Sequence, residues 1–376
     1  MPAAAADNSV ESASAPRKET FLALYPRKFK LGVLGGMLAV LVLPWLIFGG
    51  ADVKKTEDEY TRVKTAVSSV ESHAAVVNAA PRPAETKAPV TAKPEAAARA
   101  PDTEAATDPD ERSIFLTPAP DPRLSEDTPL GTLPRISEEG RQPWQVYARP
   151  FDMADTRPRI AVVITDLGLL QVPTDAAIDL PPDVTLAFDS QSPVAASWCA
   201  RARQAGHETL LMLPMEPYDY PRSDPGPNTL LSNLSGADNL QRLQKSLMRA
   251  SGYVGVTTLS GTRFTTDPER IKAVLDVLRR RGLMIFDARV APLSAIADLA
   301  REAHVPVVSV TQRLDQNLSP AAIDETLAQI EQSARLTGRA VVMAPPLPVV
   351  IARLKPWIKQ LRKDGIALAP LTAMVQ

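Results

Sequence analysis

Arg159-Ile160-Ala161-Val162-Val163-Ile164-Thr165-Asp166-Leu167-Gly168 is the stretch on which the fold turns. Its apolar run is continuous rather than alternating, and it ends in a hydroxyl and a carboxylate. A strand that is apolar on both faces is buried on both faces, which is the habit of parallel sheets covered by helices. Seven more short apolar runs follow towards the C-terminus, at 184–188, 209–213, 254–258, 284–286, 307–310, 340–343 and 366–368. Helix signals separate them. Asp267-Pro268-Glu269 opens a helix that closes at Arg281-Gly282, and Ser319-Pro320 opens one that closes at Thr337-Gly338. Proline in the first turn and glycine past the last is the expected asymmetry. This alternation predicts an α/β domain over 157–376, a seven- or eight-stranded β/α barrel, with an open doubly wound sheet as the competing topology.

Towards the N-terminus the rhythm changes at Arg157. Residues 79–156 are rich in Pro, Ala, Thr and Glu, with an acidic bias at Asp102, Glu104, Asp108, Asp110 and Glu111. That composition buries too little apolar surface to offset ordering entropy and predicts a disordered tether. In 52–78, Tyr60, Val63, Val67, Val70, Ala74 and Val77 recur at spacings of three and four, the pattern of a stalk helix. Such a seam pairs two copies into a homodimer or stands alone in water. Residues 31–51 carry no charge. At about 1.5 Å per residue they just span a hydrocarbon core of roughly 30 Å, so they read as one transmembrane helix.

Arg17, Lys18, Arg27, Lys28 and Lys30 precede that segment and only Lys54 and Lys55 closely follow it. The positive-inside bias then puts 1–30 in the cytoplasm and the C-terminal domain in the periplasm, a single-pass protein of the inner membrane that meets the lipid bilayer through one helix. A cleaved signal peptide is the competing reading, but its apolar core is about 7–15 residues, and no small-x-small site follows.

With 36 prolines among 376 residues, the folded part is shorter than the chain. The 42 basic and 43 acidic residues leave a net charge of −1, so no overall field favours nucleic acid. The single cysteine, Cys199, excludes an intrachain disulfide framework and sits in an apolar helical stretch as a buried thiol.

Parallel α/β folds carry their chemistry where strands end. Those positions are Thr165-Asp166, Leu213 to Glu216, Thr257 to Leu259, Asp287 to Arg289, Thr311 to Arg313 and Pro345 to Leu347. They offer carboxylates but no imidazole: His73 falls in the stalk, and His207 and His304 precede strands, at the opposite face. Asp166, Glu216, Tyr218, Arg263, Asp287 and Arg289 are the ligand-binding candidates. Asp166, Glu216 and Asp287 are also the donors available for weak Mg2+ or Ca2+ binding. Each carboxylate has a structural alternative as a loop cap or an arginine partner.

The run from Arg159 to Met374 resembles the divergent polysaccharide deacetylase family of the bacterial cell envelope. The resemblance is carried by 160–168, by Ala205-Gly206-His207-Glu208 running into Leu213-Pro214-Met215-Glu216-Pro217, by Asp224-Pro225-Gly226-Pro227, by Gly255 with Gly261-Thr262-Arg263-Phe264-Thr265, and by Asp287-Ala288-Arg289. It implies a barrel-like fold related to metal-dependent carbohydrate deacetylases. Such a reaction uses a metal on one carboxylate and two imidazoles, a second carboxylate as base, and a histidine as acid.

Against that pattern, Thr165 stands where the resemblance implies a first aspartate, with Asp166 kept as the metal carboxylate. Leu259 stands at one imidazole position, and Ala344-Pro345-Pro346-Leu347 replaces a run with two histidines. The expectation is therefore no catalytic residue at Thr165, Leu259, Pro345 or Leu347, no cofactor beyond a weakly held divalent ion, and a degenerate module that binds an envelope glycan or an envelope protein. The alternative is an active metal-dependent carbohydrate deacetylase or hydrolase acting on peptidoglycan or another envelope polysaccharide.

Overall fold

The computed structural model describes residues 116–129 and 131–375. The predicted transmembrane segment, the stalk and the tether up to residue 115 lie outside the described residues. Among those described, no helix is long and apolar enough to cross a membrane.

All eight predicted runs are strands. They are β3 (Arg159–Leu167), β4 (Thr185–Asp189), β5 (Thr209–Met215), β6 (Gly255–Ser260), β7 (Met284–Asp287), β8 (Val307–Ser309), β10 (Arg339–Ala344) and β11 (Ala367–Leu368). A two-residue strand, β9 (Gln312–Arg313), is too short to register as a pattern. Every pairing among these strands is parallel, in the order β8-β7-β6-β5-β4-β3-β10-β9, and β11 also pairs with β3.

The two ends of this order meet on one segment. After β8 has paired with β7, Val310 N donates to Asp287 O at 3.0 Å; the next residue turns to the other edge, Thr311 N donating to Val341 O at 2.8 Å and Leu314 N to Met343 O at 2.9 Å. The sheet is thus curled and barrel-like rather than open. β11 enters beside the start of β3, with Ala367 opposite Arg159, while β4 takes the later half of that strand from Val163 on.

Why the strands read as unbroken apolar runs is now visible. Alternate residues serve two cores, as the period of two dictates. Ala161, Val163, Ala187, Leu210, Met212, Met284, Phe286, Val341 and Met343 fill one cluster, inside the curled sheet. Ile160, Val162, Ile164, Leu186, Phe188, Leu211, Leu213, Ile285 and Val342 fill the other, under the helices. The helices are α2 (Gln171–Ile178), α3 (Ala195–Gln204), α4 (Gly236–Leu247), α5 (Pro268–Arg281), α6 (Ile296–Glu302), α7 (Pro320–Thr337) and α8 (Pro348–Lys363), preceded by the single turn α1 (Pro143–Val146).

The two helices predicted from their ends have the expected caps. Asp267 accepts from the N–H groups of Glu269 and Arg270, and Ser319 from that of Ala322. Gly282 and Gly338 close them at φ 62° and 83°, left-handed values that favour glycine. Cys199 lies buried on α3, its thiol pushed up to about 12 by burial.

The boundary at residue 157 is corrected by the structure. Residues 116–156 are not tether: they hold a 3-10 turn (Pro122–Leu124), an antiparallel hairpin of β1 (Ser125–Thr128) and β2 (Gly131–Pro134), and α1. Leu124 and Tyr147 enter the interior cluster, and Leu133 joins the helix-side one. Arg203, buried at the end of α3, ties this segment down by donating to Thr117 O (2.6 Å), Tyr147 O (3.1 Å) and Gly252 O (2.7 Å). Glu208, fully buried just before β5, accepts from Arg149 N at 2.9 Å and Thr372 N at 3.1 Å, and from the Thr372 hydroxyl. One carboxylate therefore joins the N-terminal extension to the C-terminal turn across the base of the barrel. Averaged composition hid these few anchors among the prolines and acids around them.

Candidate functional site at the barrel mouth

In a parallel barrel all strands point the same way, so the segments that leave them open on one face. The floor of that face is set by the ends of β3 and β4. Thr165 is buried, and its hydroxyl donates to Asp166 Oδ2 at 2.7 Å. Asp166 follows at φ 59°, where the pairing of β3 with β4 shifts register between Ile164 and Leu167. A bulge re-aims the chain, and here it leaves Asp166 exposed between two buried residues. A non-glycine residue at positive φ stores backbone strain, which concentrates at sites.

Beside it sits Asp189, absent from the sequence candidates although it directly follows the predicted run 184–188. It is 4% exposed, and its Oδ1 accepts from Gln191 N at 2.7 Å. Burial, and then the charge of Asp166, raise its carboxyl above the ordinary value. Two neighbouring carboxylates, one wet and one desolvated, therefore share the floor.

The remaining candidates divide by what they hold. Glu216 is buried after β5 and staples two loops: Ser232 N donates to Oε2 at 2.5 Å, and Arg263 Nη1 lies 3.2 Å from Oε1. Its carbonyl accepts from Arg263 N and Phe264 N, both at 3.1 Å. Asp287, 2% exposed, accepts from Arg289 N (3.0 Å) and Ser294 Oγ (3.2 Å), and burial raises its carboxyl too. Both carboxylates are engaged in shaping loops. Tyr218 and Arg289 are exposed, Tyr218 at 65% and Arg289 at a strained φ of 45°. Arg263 keeps about half its side chain in water beyond its pairing with Glu216.

The positions where the resemblance implies imidazoles are apolar in fact as well as in sequence. Leu259 is half-buried against the interior cluster. Pro345 is half-buried, and Leu347 is exposed as the N-terminal cap residue of α8. The two described histidines sit at the base. His207 places its ring nitrogens 2.8 Å from Val184 O and 3.0 Å from Ile178 O, and burial holds its imidazole below the ordinary value. His304, at φ 54°, follows α6. Among the described residues no group of three or more His, Cys, Asp or Glu side chains is arranged to hold a metal ion. The donors present do not fit a divalent metal on two imidazoles, and Glu216 and Asp287, two members of the all-carboxylate set, are spent on loop amides, the Arg263 guanidinium and the Ser294 hydroxyl.

Comparison with known proteins agrees with this architecture. The family model for divergent polysaccharide deacetylases matches residues 162–375. The crystal structure of the uncharacterized protein ATU2773 from Agrobacterium tumefaciens C58 superimposes with a TM-score of 0.63 at 33% identity, over 65% of this chain and 99% of that one. The uncharacterized protein YibQ of Escherichia coli K12 is 25% identical over 207 residues, 55% of this chain and 64% of its own length. An uncharacterized protein of Haemophilus influenzae Rd is 24% identical over the same number of residues, 73% of its own length. With the matched region running from the middle of β3 to the last described turn, the chain belongs to the divergent polysaccharide deacetylase family.

Proposed function

We propose that the chain is a catalytically degenerate member of its family, anchored in the inner membrane with its barrel in the periplasm, which acts by binding an envelope ligand at the barrel mouth. The single observation that carries this is the mouth itself. It keeps a polar floor in Asp166 and Asp189, yet it presents Leu259, Pro345 and Leu347 where metal and acid chemistry needs imidazoles. Neither leucine nor proline offers a lone pair to a metal or a proton to a leaving amine. The Thr165 hydroxyl, held on Asp166, has no pKa suited to a base. An unbalanced carboxylate on a strained bulge, Asp166, with a desolvated one beside it has a use in binding that it lacks in a pure scaffold. The uncharged run 31–51 and the basic residues before it support the anchor.

The test is metal content and acetate release on the full-length chain in lipid nanodiscs. The expected outcome is no stoichiometric zinc and no acetate from acetylated chitooligosaccharides or peptidoglycan. Thr165→Asp with Leu259→His is also expected to stay inactive, because the acid and the second imidazole are still missing. Tight zinc, or acetate release abolished by Asp166→Ala, sinks the reading in favour of a hydrolase.

A further inference from the structure

The exposed apolar residues narrow the class of ligand. Among the described residues eleven large apolar side chains are exposed, and eight of them lie on segments that leave the C-terminal ends of strands. Leu293 is 81% exposed, Val172 79%, Leu170 68%, Leu169 60% and Val194 50%. Because those segments leave the same end of the parallel sheet, these side chains lie at the mouth end of the barrel. Covering exposed apolar surface favours association, and eight such side chains at one end of the barrel offer surface for a partner to cover.

The composition of this surface distinguishes between occupants. Sugars stack their C–H faces on aromatic rings, and Tyr218 is the one exposed aromatic among these eight. Aliphatic side chains around a polar centre match the covered core of a protein interface. Charge then specifies the centre. Asp166 meets only the Thr165 hydroxyl and Asp189 only the Gln191 amide, and no lysine or arginine forms an ion pair with either among the described residues. An incoming cation relieves the mutual repulsion of the two carboxylates and supplies the missing partner.

We propose that the mouth docks a polypeptide segment whose aliphatic side chains cover the Leu170–Leu293 rim and whose lysine or arginine reaches Asp166 and Asp189. The inference rests on the reading of the mouth as the binding site and selects protein over glycan as its ligand. The full-length chain in nanodiscs is panned against a displayed library of short peptides. In parallel it is probed with an array of chitooligosaccharides and of glycan strands stripped of stem peptides.

Enrichment of peptides that set Leu, Ile, Val or Met beside Lys or Arg is expected. Leu170→Asp with Leu293→Asp is expected to weaken them at least about ten-fold, both sites being exposed and outside the core. Asp166→Asn is expected to weaken them and to flatten their salt dependence. No enrichment over empty nanodiscs overturns the proposal. Glycan binding that the rim variants abolish overturns the polypeptide while leaving the mouth as the site. Peptides or glycans held equally by the native chain and every mouth variant overturn both readings.

Discussion

Individual residues at the mouth do one of two jobs, and their energetics tell the jobs apart. Asp189 is kept in a place that disfavours its charge. Its carboxyl is raised above the unfolded value, so between the unfolded and folded values the native state holds a proton that the unfolded chain releases. Its contribution to stability is thus fully present below the unfolded carboxylate range and is lost as pH rises through the folded value. Asp189→Asn keeps an acceptor for Gln191 N and removes the charge, so it should stabilise the chain by roughly 0.5–2 kcal/mol at pH 7, with the gain vanishing near pH 3. Denaturant unfolding at the two pH values checks this, and a loss of stability at pH 7 refutes it. Glu216 does the opposite job: its oxygens satisfy Ser232 N and Arg263. Glu216→Ala takes the acceptor from the half-buried Ser232 amide and the partner from Arg263, and should cost about 1–3 kcal/mol, read as a lower unfolding midpoint. A midpoint unchanged within error means the loops hold without it.

At the scale of elements, the parallel ladder needs its ends closed, and the base and the mouth achieve this differently. At the base, Arg203 fixes three carbonyls from three separate segments while its ring-facing guanidinium lies 5.0 Å from the Tyr147 centroid. Arg203→Met preserves much of the stem packing and removes every donor. Faster cleavage by a broad-specificity protease in 116–121 is the expected result, together with a loss of about 2–4 kcal/mol. Unaltered protection there means the extension is held by its apolar contacts alone. At the mouth, by contrast, the ladder ends in a bulge at Asp166 and in loops stapled by Glu216 and Asp287. Those loops can vary in their tips while the strand ends stay fixed, which is why function gathers on them.

For the whole molecule, the consequence is that the folded body takes in residues 116–156, some forty residues ahead of the change in sequence rhythm at Arg157. A chain shortened to start at Arg157 loses Leu124, Leu133 and Tyr147, all buried, and with them the Arg149 amide that donates to Glu208 and two of the three carbonyls that Arg203 holds. At about 1.5–3 kcal/mol per fully buried large side chain, the loss is about 5 kcal/mol or more, comparable to the whole stability of a domain. Such a chain should unfold at a much lower denaturant concentration than one starting at residue 116. Equal midpoints for the two sink this view of the base.

The sequence by itself determined the alternation of strands and helices, the parallel sense of the sheet, the caps at Asp267 and Ser319, and the absence of imidazoles from the mouth. Each of these is written locally, in a run, a spacing or a missing residue type. What only the tertiary structure decided is long-range. Curling the sheet until one segment bonds both β7 and β10 depends on twist accumulated over all strands, which no single run encodes. Asp189 emerged as a floor residue because its charged neighbour in space, Asp166, sits at the end of a different strand with a helix between them in the chain. Leu124, Leu133 and Tyr147 looked like residues of a solvated tether because burial belongs to a position in three dimensions, and a composition averaged over seventy-eight residues dilutes the three side chains that matter.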